Sequence, residues 1–403
     1  MVQRVVVVGA SLAGLRACES LRFEGFDGEI VLVGAEEHLP YDRPPLSKKV
    51  LAGEWEPDRI ALRTPDSIAE LEVDLRLGIR ATGLDTAARH VELEGATRLA
   101  YDGLIIATGS EVRRLPEQPD LPGVHVLRRL DESLALRAEL AGGGARVVVV
   151  GAGFIGAEVA ATARQLGCEV TIVEALDAPL VRGIGREMGL ACAQLHHDNG
   201  VTLRLDTGVE EIAGGTRVDR VRLTDGTVFP ADVVVVGIGV VPATGWLAGS
   251  GLDLRDGVVC AATLAAGPPG VFAAGDCARW PHQLFGEELR IEHWTNAAEQ
   301  GARAAKNLLA AAAGQPGEPY AEVPFFWSDQ YGSRIQFLGR GDGDVRVVVG
   351  DVDERKFVAV YSRDGIVRGA LGLDSPRALM GFRRLIAARA SMDDVVAHAA
   401  TLA

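Results

Sequence analysis

The sequence predicts an α/β protein with two parallel-sheet domains of βαβ build, the second inserted in the first, closed by a C-terminal α+β domain. Three observations carry this. Val5 to Gly14 reads VVVVGASLAG and Val147 to Gly156 reads VVVVGAGFIG, so one unit occurs twice. Two other apolar runs end in glycine and flank the second copy, Gly103 to Gly109 (GLIIATG) and Ala231 to Gly239 (ADVVVVGIG). Beyond the turn-forming stretch Gly314 to Pro319, GQPGEP, the pattern changes to short strands.

A continuous valine run suits a parallel strand buried on both faces. In each copy the glycine turn leads into an apolar-periodic helix, expected over Leu12 to Phe23 and over Ile155 to Leu166. Second strands, Glu29 to Val33 and Glu169 to Val173, complete two βαβ units. The glycine-ended strands mark the crossings between domains. The first domain is therefore expected at residues 1–112 and 243–318, the inserted one at 113–242 and the last at 319–403. A helix is expected over Thr295 to Ala313. Strands over Val345 to Val349, Phe357 to Tyr361 and Val367 to Leu371, with a helix over Pro376 to Ala388, make the last domain.

The 403 residues suffice for two to three domains at roughly 150 residues each. A net charge of −14 opposes nucleic acid or an anionic membrane as the main partner, because either needs a basic surface. Cys18, Cys168, Cys192, Cys260 and Cys277 are scattered without metal-like spacing, so buried reduced thiols are expected and no metal site. The neighbours His196 and His197 do not make one, since adjacent helical side chains rarely converge. The start of the chain lacks a charged leader, and no apolar run reaches the ~18 residues of a membrane span, which points to the cytoplasm.

Gly151, Gly153 and Gly156 complete the dinucleotide fingerprint G-x-G-x-x-G. Its glycines allow a tight turn, close approach of backbone to pyrophosphate, and close helix–strand packing in a Rossmann-like unit. The strand that follows ends at Glu174, whose carboxylate suits a ribose diol and repels a 2′-phosphate. Ala175, not arginine, comes next, so NADH is favoured over NADPH. The first unit has Gly9, Ser11 and Gly14, with Glu36 or Glu37 to hold a ribose. Two dinucleotide sites in one chain imply hydride transfer between two cofactors, FAD on the first unit and a nicotinamide on the second.

Further motifs are YDRPPLSK at Tyr41 to Lys48, ATG at Ala107 to Gly109, GAGFIGAE at Gly151 to Glu158, VFAAGDCA at Val271 to Ala278, RIEHWTNA at Arg290 to Ala297 and FFWSDQYG at Phe325 to Gly332. With them the whole chain resembles the FAD-dependent NADH:ferredoxin reductases of oxygenase systems, the family of putidaredoxin reductase and of the aromatic-dioxygenase reductases. The resemblance implies that Asp276 holds the ribityl chain of FAD, that Lys48 lies beside the isoalloxazine, and that Ala13, Ala81, Arg128 and Trp294 line the FAD site. Arg43, Thr108 and Gly109 join that site through their motifs. Glu158 would lie near the nicotinamide with Phe154, Ile155 and Gly239, and Trp327 near the flavin. In the family an acidic residue often stands where this chain has Ala35; here the carboxylate comes one residue later, at Glu36.

The implied activity is electron transfer from NADH through FAD to a two-iron ferredoxin that serves a haem monooxygenase or a ring-hydroxylating dioxygenase. Lys48, Glu158 and Trp327 are the expected catalytic residues. An acidic ferredoxin would need a basic patch, for which Arg303, Lys306, Arg334 and Arg340 are candidates. A disulfide or peroxide reductase needs a cysteine against the flavin, and none lies between Cys18 and Cys168. Rubredoxin as acceptor, or an NADH-sensing flavoprotein like apoptosis-inducing factor, are the alternatives. A monomer or weak dimer is the default.

Overall fold

A computed structural model of the chain describes residues 2–402, which form two compact units. The first unit collects the residues up to Asp42, Ile60–Glu111 and Val241–Pro324. The second collects Arg43–Arg59, Val112–Val240 and the described residues from Phe325 on.

In the first unit the strand Arg4–Val8 is the centre of a five-stranded parallel sheet. It pairs with Glu29–Val33 on one side and Gly103–Ile106 on the other. Val73–Arg76 and Val271–Ala273 form the edges. Val5, Val6 and Val7 have no solvent exposure, as a strand covered on both faces requires. The helix Leu12–Phe23 packs against the helix Trp294–Ala312 so closely that a Cβ at Gly301 would lie 2.2 Å from the Ala13 carbonyl oxygen. GQPGEP is tied down: Asn307 exchanges hydrogen bonds with the backbone of Glu318, and Trp280 Nε1 donates to the carbonyl of buried Tyr320.

The second unit repeats the pattern. Arg146–Val150 lies between Glu169–Val173 and Val233–Val236, with Thr202–Arg204 and Val124–His125 at the edges, all parallel. The two copies of VVVVG therefore occupy the same central position in two parallel sheets, although the edge strand beyond the glycine-ended one follows the others along the chain in the first sheet (Val271–Ala273) and precedes them in the second (Val124–His125). The helix after the second turn runs over Phe154–Gln165.

The same unit holds the C-terminal sheet. Five antiparallel strands lie in the order Phe325–Gln330, Ser333–Gly339, Ile366–Leu373, Lys356–Arg363, Asp344–Asp351, with helices Pro376–Ala387 and Met392–Ala399. The first two strands were not read from the alternation of the sequence. They form a hairpin closed by Tyr331 and Gly332, both at positive φ (55° and 91°), the geometry that matches strand twist in a two-residue turn. One apolar core joins the helix Val181–Asp198 to this sheet: Ile184, Met188, Cys192 and Leu195 pack with Phe326, Phe337, Phe357 and Tyr361.

Candidate functional site

At the first glycine turn, Gly9 adopts φ +118°, and a Cβ there would lie 2.1 Å from the Ala107 carbonyl oxygen. The backbone of this turn thus touches the end of the neighbouring strand, which brings ATG beside it. At Gly153 of the second turn a Cβ would meet no protein atom within 4 Å, so the fold itself tolerates a side chain there. That explains why Ser11 can replace the middle glycine of the first copy. Gly156 has no such latitude, because its Cβ would lie 2.1 Å from the Gly151 carbonyl oxygen.

Around the first turn, Asp276 is buried and accepts a 2.8 Å hydrogen bond from the Ser110 hydroxyl. Trp294 Nε1 donates to Asp42 Oδ1 at 2.6 Å, and Thr108 Oγ1 to the Ala243 carbonyl at 2.8 Å. Ala13 and Ala81 are buried. Tyr41 donates to Glu36 Oε2 at 2.5 Å, while Glu37 leans over Gly78. Sequence reading missed Ser110, Tyr41 and Gln300. Gln300 has no solvent exposure; its Oε1 accepts from Gly275 N at 2.9 Å and its Nε2 makes no hydrogen bond among the described residues. Polar residues within apolar patterns carry the only signal, and for Gln300 it is the break in the small-residue face of its helix.

At the second turn Glu174 stands at the strand end, as its distance from the fingerprint predicts. Its two carboxylate oxygens accept from the backbone N–H groups of Ala152 (2.7 Å) and Leu176 (2.9 Å). The helix Phe154–Gln165 begins without a side-chain cap, which leaves first-turn N–H groups facing outward with the positive end of the helix dipole. Ile155 and Leu176, either side of the turn, are 47% and 39% exposed. Gly239 takes φ +100° in the turn between the strand Val233–Val236 and Val240–Pro242.

Glu158 is the most constrained carboxylate in this unit. It is 3% exposed although charged, and its oxygens are divided among three donors. Oε2 accepts from Lys48 Nζ at 2.6 Å and from Ser47 Oγ at 2.5 Å; Oε1 accepts from Ser328 Oγ at 2.8 Å. The short helix Pro44–Ser47 delivers Ser47 and Lys48, held by hydrogen bonds from Thr162 Oγ1 to the Ser47 carbonyl and from Ser133 Oγ to the Leu46 carbonyl. Arg43 and Arg128 lie in the same unit, with Arg43 Nη1 donating to the Arg128 carbonyl at 2.6 Å. Phe154 stacks edge-on against Phe326, so its ring belongs to the packing with the C-terminal sheet and only its backbone remains for a nucleotide. Trp327 is half-buried and stacks on Phe325.

All five cysteines are free and buried. Burial pushes the Cys18, Cys192 and Cys260 thiols up to about 12, far from the thiolate a redox reaction needs. Among the described residues no cluster of three His, Cys, Asp or Glu could hold a metal, and His196 Nδ1 instead lies 2.7 Å from the Tyr331 hydroxyl. No helix among them is long and apolar enough to cross a membrane. The four cations expected to greet an acidic partner each have a carboxylate beside them: Arg303 with Glu318, Lys306 with Glu24, Arg334 with Asp329 and Arg340 with Asp342.

Residues 3–301 match the family described as pyridine nucleotide-disulphide oxidoreductase, and residues 325–401 match a reductase C-terminal domain. The chain belongs to the pyridine nucleotide-disulphide oxidoreductase family. Within that family it is similar to rhodocoxin reductase of Rhodococcus erythropolis, at 39% identity over 95% of this chain and 89% of that protein. The ferredoxin–NAD(+) reductase component of the biphenyl dioxygenase system of Paraburkholderia xenovorans (strain LB400) is also 39% identical, over 97% and 95%. The crystal structure of the covalent putidaredoxin reductase–putidaredoxin complex matches with a TM-score of 0.91, at 32% identity over 96% of this chain and 93% of that one.

Proposed function

We propose that this chain oxidises NADH and passes the electrons through FAD to a small ferredoxin of the two-iron type, which supplies a haem monooxygenase or a ring-hydroxylating dioxygenase. The observation that carries the reading is a pair of dinucleotide turns in one chain, 97% of which aligns with a ferredoxin–NAD(+) reductase component.

The residues present fit both cofactors. Buried Gln300 Nε2 is a hydrogen-bond donor without a partner among the described residues, on a side chain whose oxygen accepts from Gly275 N, and Gly275 lies against Ala13 of the first fingerprint. The uncapped helix start at Gly153 offers N–H groups to a second pyrophosphate, and exposed Ile155 and Leu176 offer apolar cover to the flat groups of a dinucleotide.

Held by these residues, FAD would supply the conversion of two-electron to one-electron chemistry: hydride would be accepted from NADH, leaving NAD+, and two electrons passed singly to two ferredoxins with the proton released to solvent. The protein's work is to hold and to exclude water. We assign FAD to the first unit: Gly9, Ser11 and Gly14 admit the pyrophosphate, Glu36 oriented by Tyr41 accepts from the ribose, and Asp276 oriented by Ser110 accepts from the ribityl chain. We assign NADH to the second unit, with Glu174 on the adenosine ribose and Glu158 near the nicotinamide. Lys48 neutralises the buried Glu158 carboxylate.

The test is to mix the yellow holoprotein anaerobically with a small excess of NADH, follow bleaching, and add a two-iron ferredoxin with cytochrome c as final acceptor. Fast bleaching followed by ferredoxin-dependent cytochrome reduction is expected. Bleaching into a long-lived complex that several ferredoxins fail to discharge would overturn the reading.

A further inference from the structure

The strand Phe325–Gln330 lies along the helix Phe154–Gln165 in matched steps. Phe326 meets Phe154, with ring centroids 4.6 Å apart, and Ser328 meets Glu158 at 2.8 Å. Four residues of helix rise about 6 Å and two residues of strand about 6.6 Å, so successive inward side chains of the strand meet successive turns of the helix. The third inward residue, Gln330, is 1% exposed and donates from Nε2 to Ser328 Oγ at 3.2 Å. With its oxygen accepting from Gln330, the Ser328 hydroxyl has its own hydrogen to give to Glu158 Oε1.

We propose that Ser328, oriented by Gln330, is a positioning residue for hydride transfer: it fixes the Glu158 carboxylate in one orientation from the side opposite Lys48 and Ser47. The inference rests on the reading that Glu158 faces the nicotinamide. Without Ser328 the carboxylate keeps two donors on Oε2 but loses the one that stops rotation about its terminal bond. Nucleotide affinity, which we assign to the glycine turn and Glu174, stays; the fraction of bound complexes in reactive geometry falls.

The experiment is a double-mutant cycle on the holoprotein, read as the limiting rate of flavin bleaching and the KM for NADH. Ser328→Ala is expected to slow limiting bleaching about tenfold while KM changes less than about twofold, and Ser328→Thr to restore the rate because it keeps the hydroxyl. In a Glu158→Ala background, where the Ser328 hydroxyl has no side-chain acceptor left at 158, Ser328→Ala should cost nothing further. Equal losses in both backgrounds, or a change confined to the thermal midpoint, would overturn the assignment. Failure of the bleached wild type to reduce any ferredoxin counts against the reductase reading alone and leaves the cycle intact. A wild-type flavin that NADH does not bleach overturns both.

Discussion

Ser110 Oγ lies 2.8 Å from Asp276 Oδ2, joining a strand that ends the first βαβ region to a carboxylate 166 residues further on. Both side chains are buried, so the hydroxyl decides which way the carboxylate points. A hydrogen bond to a charged group contributes about 1.5 to 3 kcal/mol, hence Ser110→Ala should weaken FAD binding by about tenfold or more. Fluorescence titration of the apoprotein with FAD reads this directly. An unchanged dissociation constant would remove Asp276 from the FAD site as we assign it.

Lys48 and Glu158 form a buried ion pair, with 17% and 4% of their side chains exposed. Removing only the cation strands a carboxylate in the interior, so Lys48→Met should destabilise the protein by roughly 3 kcal/mol. Removing both charges, Lys48→Met with Glu158→Leu, should recover most of that loss. Urea unfolding of the two variants beside wild type gives the comparison, and a double variant as unstable as the single one would contradict it.

Much of this arrangement was legible in the sequence because it depends on backbone geometry. VVVVG twice marks the strand centres and the turns, and the helix expected over Leu12 to Phe23 is the one found. Glu158, by contrast, reads as a helix-surface carboxylate on spacing alone. Its burial depends on Ser328 and Lys48, 170 and 110 residues away, and no local pattern encodes such a meeting. The hairpin of Phe325–Gln330 with Ser333–Gly339 escaped because Tyr331-Gly332 is not among the turn pairs usually read as hairpins, although its tyrosine accepts φ 55° and hydrogen-bonds to His196. The pairing of Arg303 with Glu318 and of Lys306 with Glu24 was equally invisible, since those carboxylates lie on other segments of the chain.

Histidine 196 gives the fold a dependence on pH. Burial holds its imidazole neutral and lowers its pKa from 6.5 to about 4. The unfolded chain therefore binds a proton between these values that the folded chain refuses. Stability is full above about pH 6.5 and falls as the solution is acidified towards pH 4, with roughly 2 kcal/mol lost from this group by pH 5. Urea midpoints measured from pH 7.5 to pH 5 should fall more steeply for wild type than for His196→Gln. Parallel slopes would mean that another group carries the acid sensitivity.

The buried thiols predict inertness. Cys18, Cys192 and Cys260, raised to about 12, are almost wholly protonated at neutral pH, so iodoacetamide should leave native holoprotein unlabelled and its NADH oxidation intact over an hour. All five should label after unfolding in urea. Rapid native labelling with loss of bleaching by NADH would revive thiol chemistry for this chain.

Glu174 bears on the choice of nucleotide. Both its oxygens already accept backbone N–H groups, from Ala152 and Leu176, so the carboxylate is fixed before any ribose arrives and its lone pairs remain able to accept from a diol. A 2′-phosphate brought to the same place meets a fixed negative charge. Glu174→Ala removes both effects: the KM for NADH should rise about tenfold, and that for NADPH should fall as the repulsion disappears. Glu174→Gln separates the two, because the amide keeps one acceptor oxygen without the charge. It should retain more NADH affinity than the alanine variant and still admit NADPH. Steady-state KM values for both nucleotides across wild type and the two variants decide the matter. Unchanged discrimination in Glu174→Ala would mean that selectivity lies elsewhere on the turn.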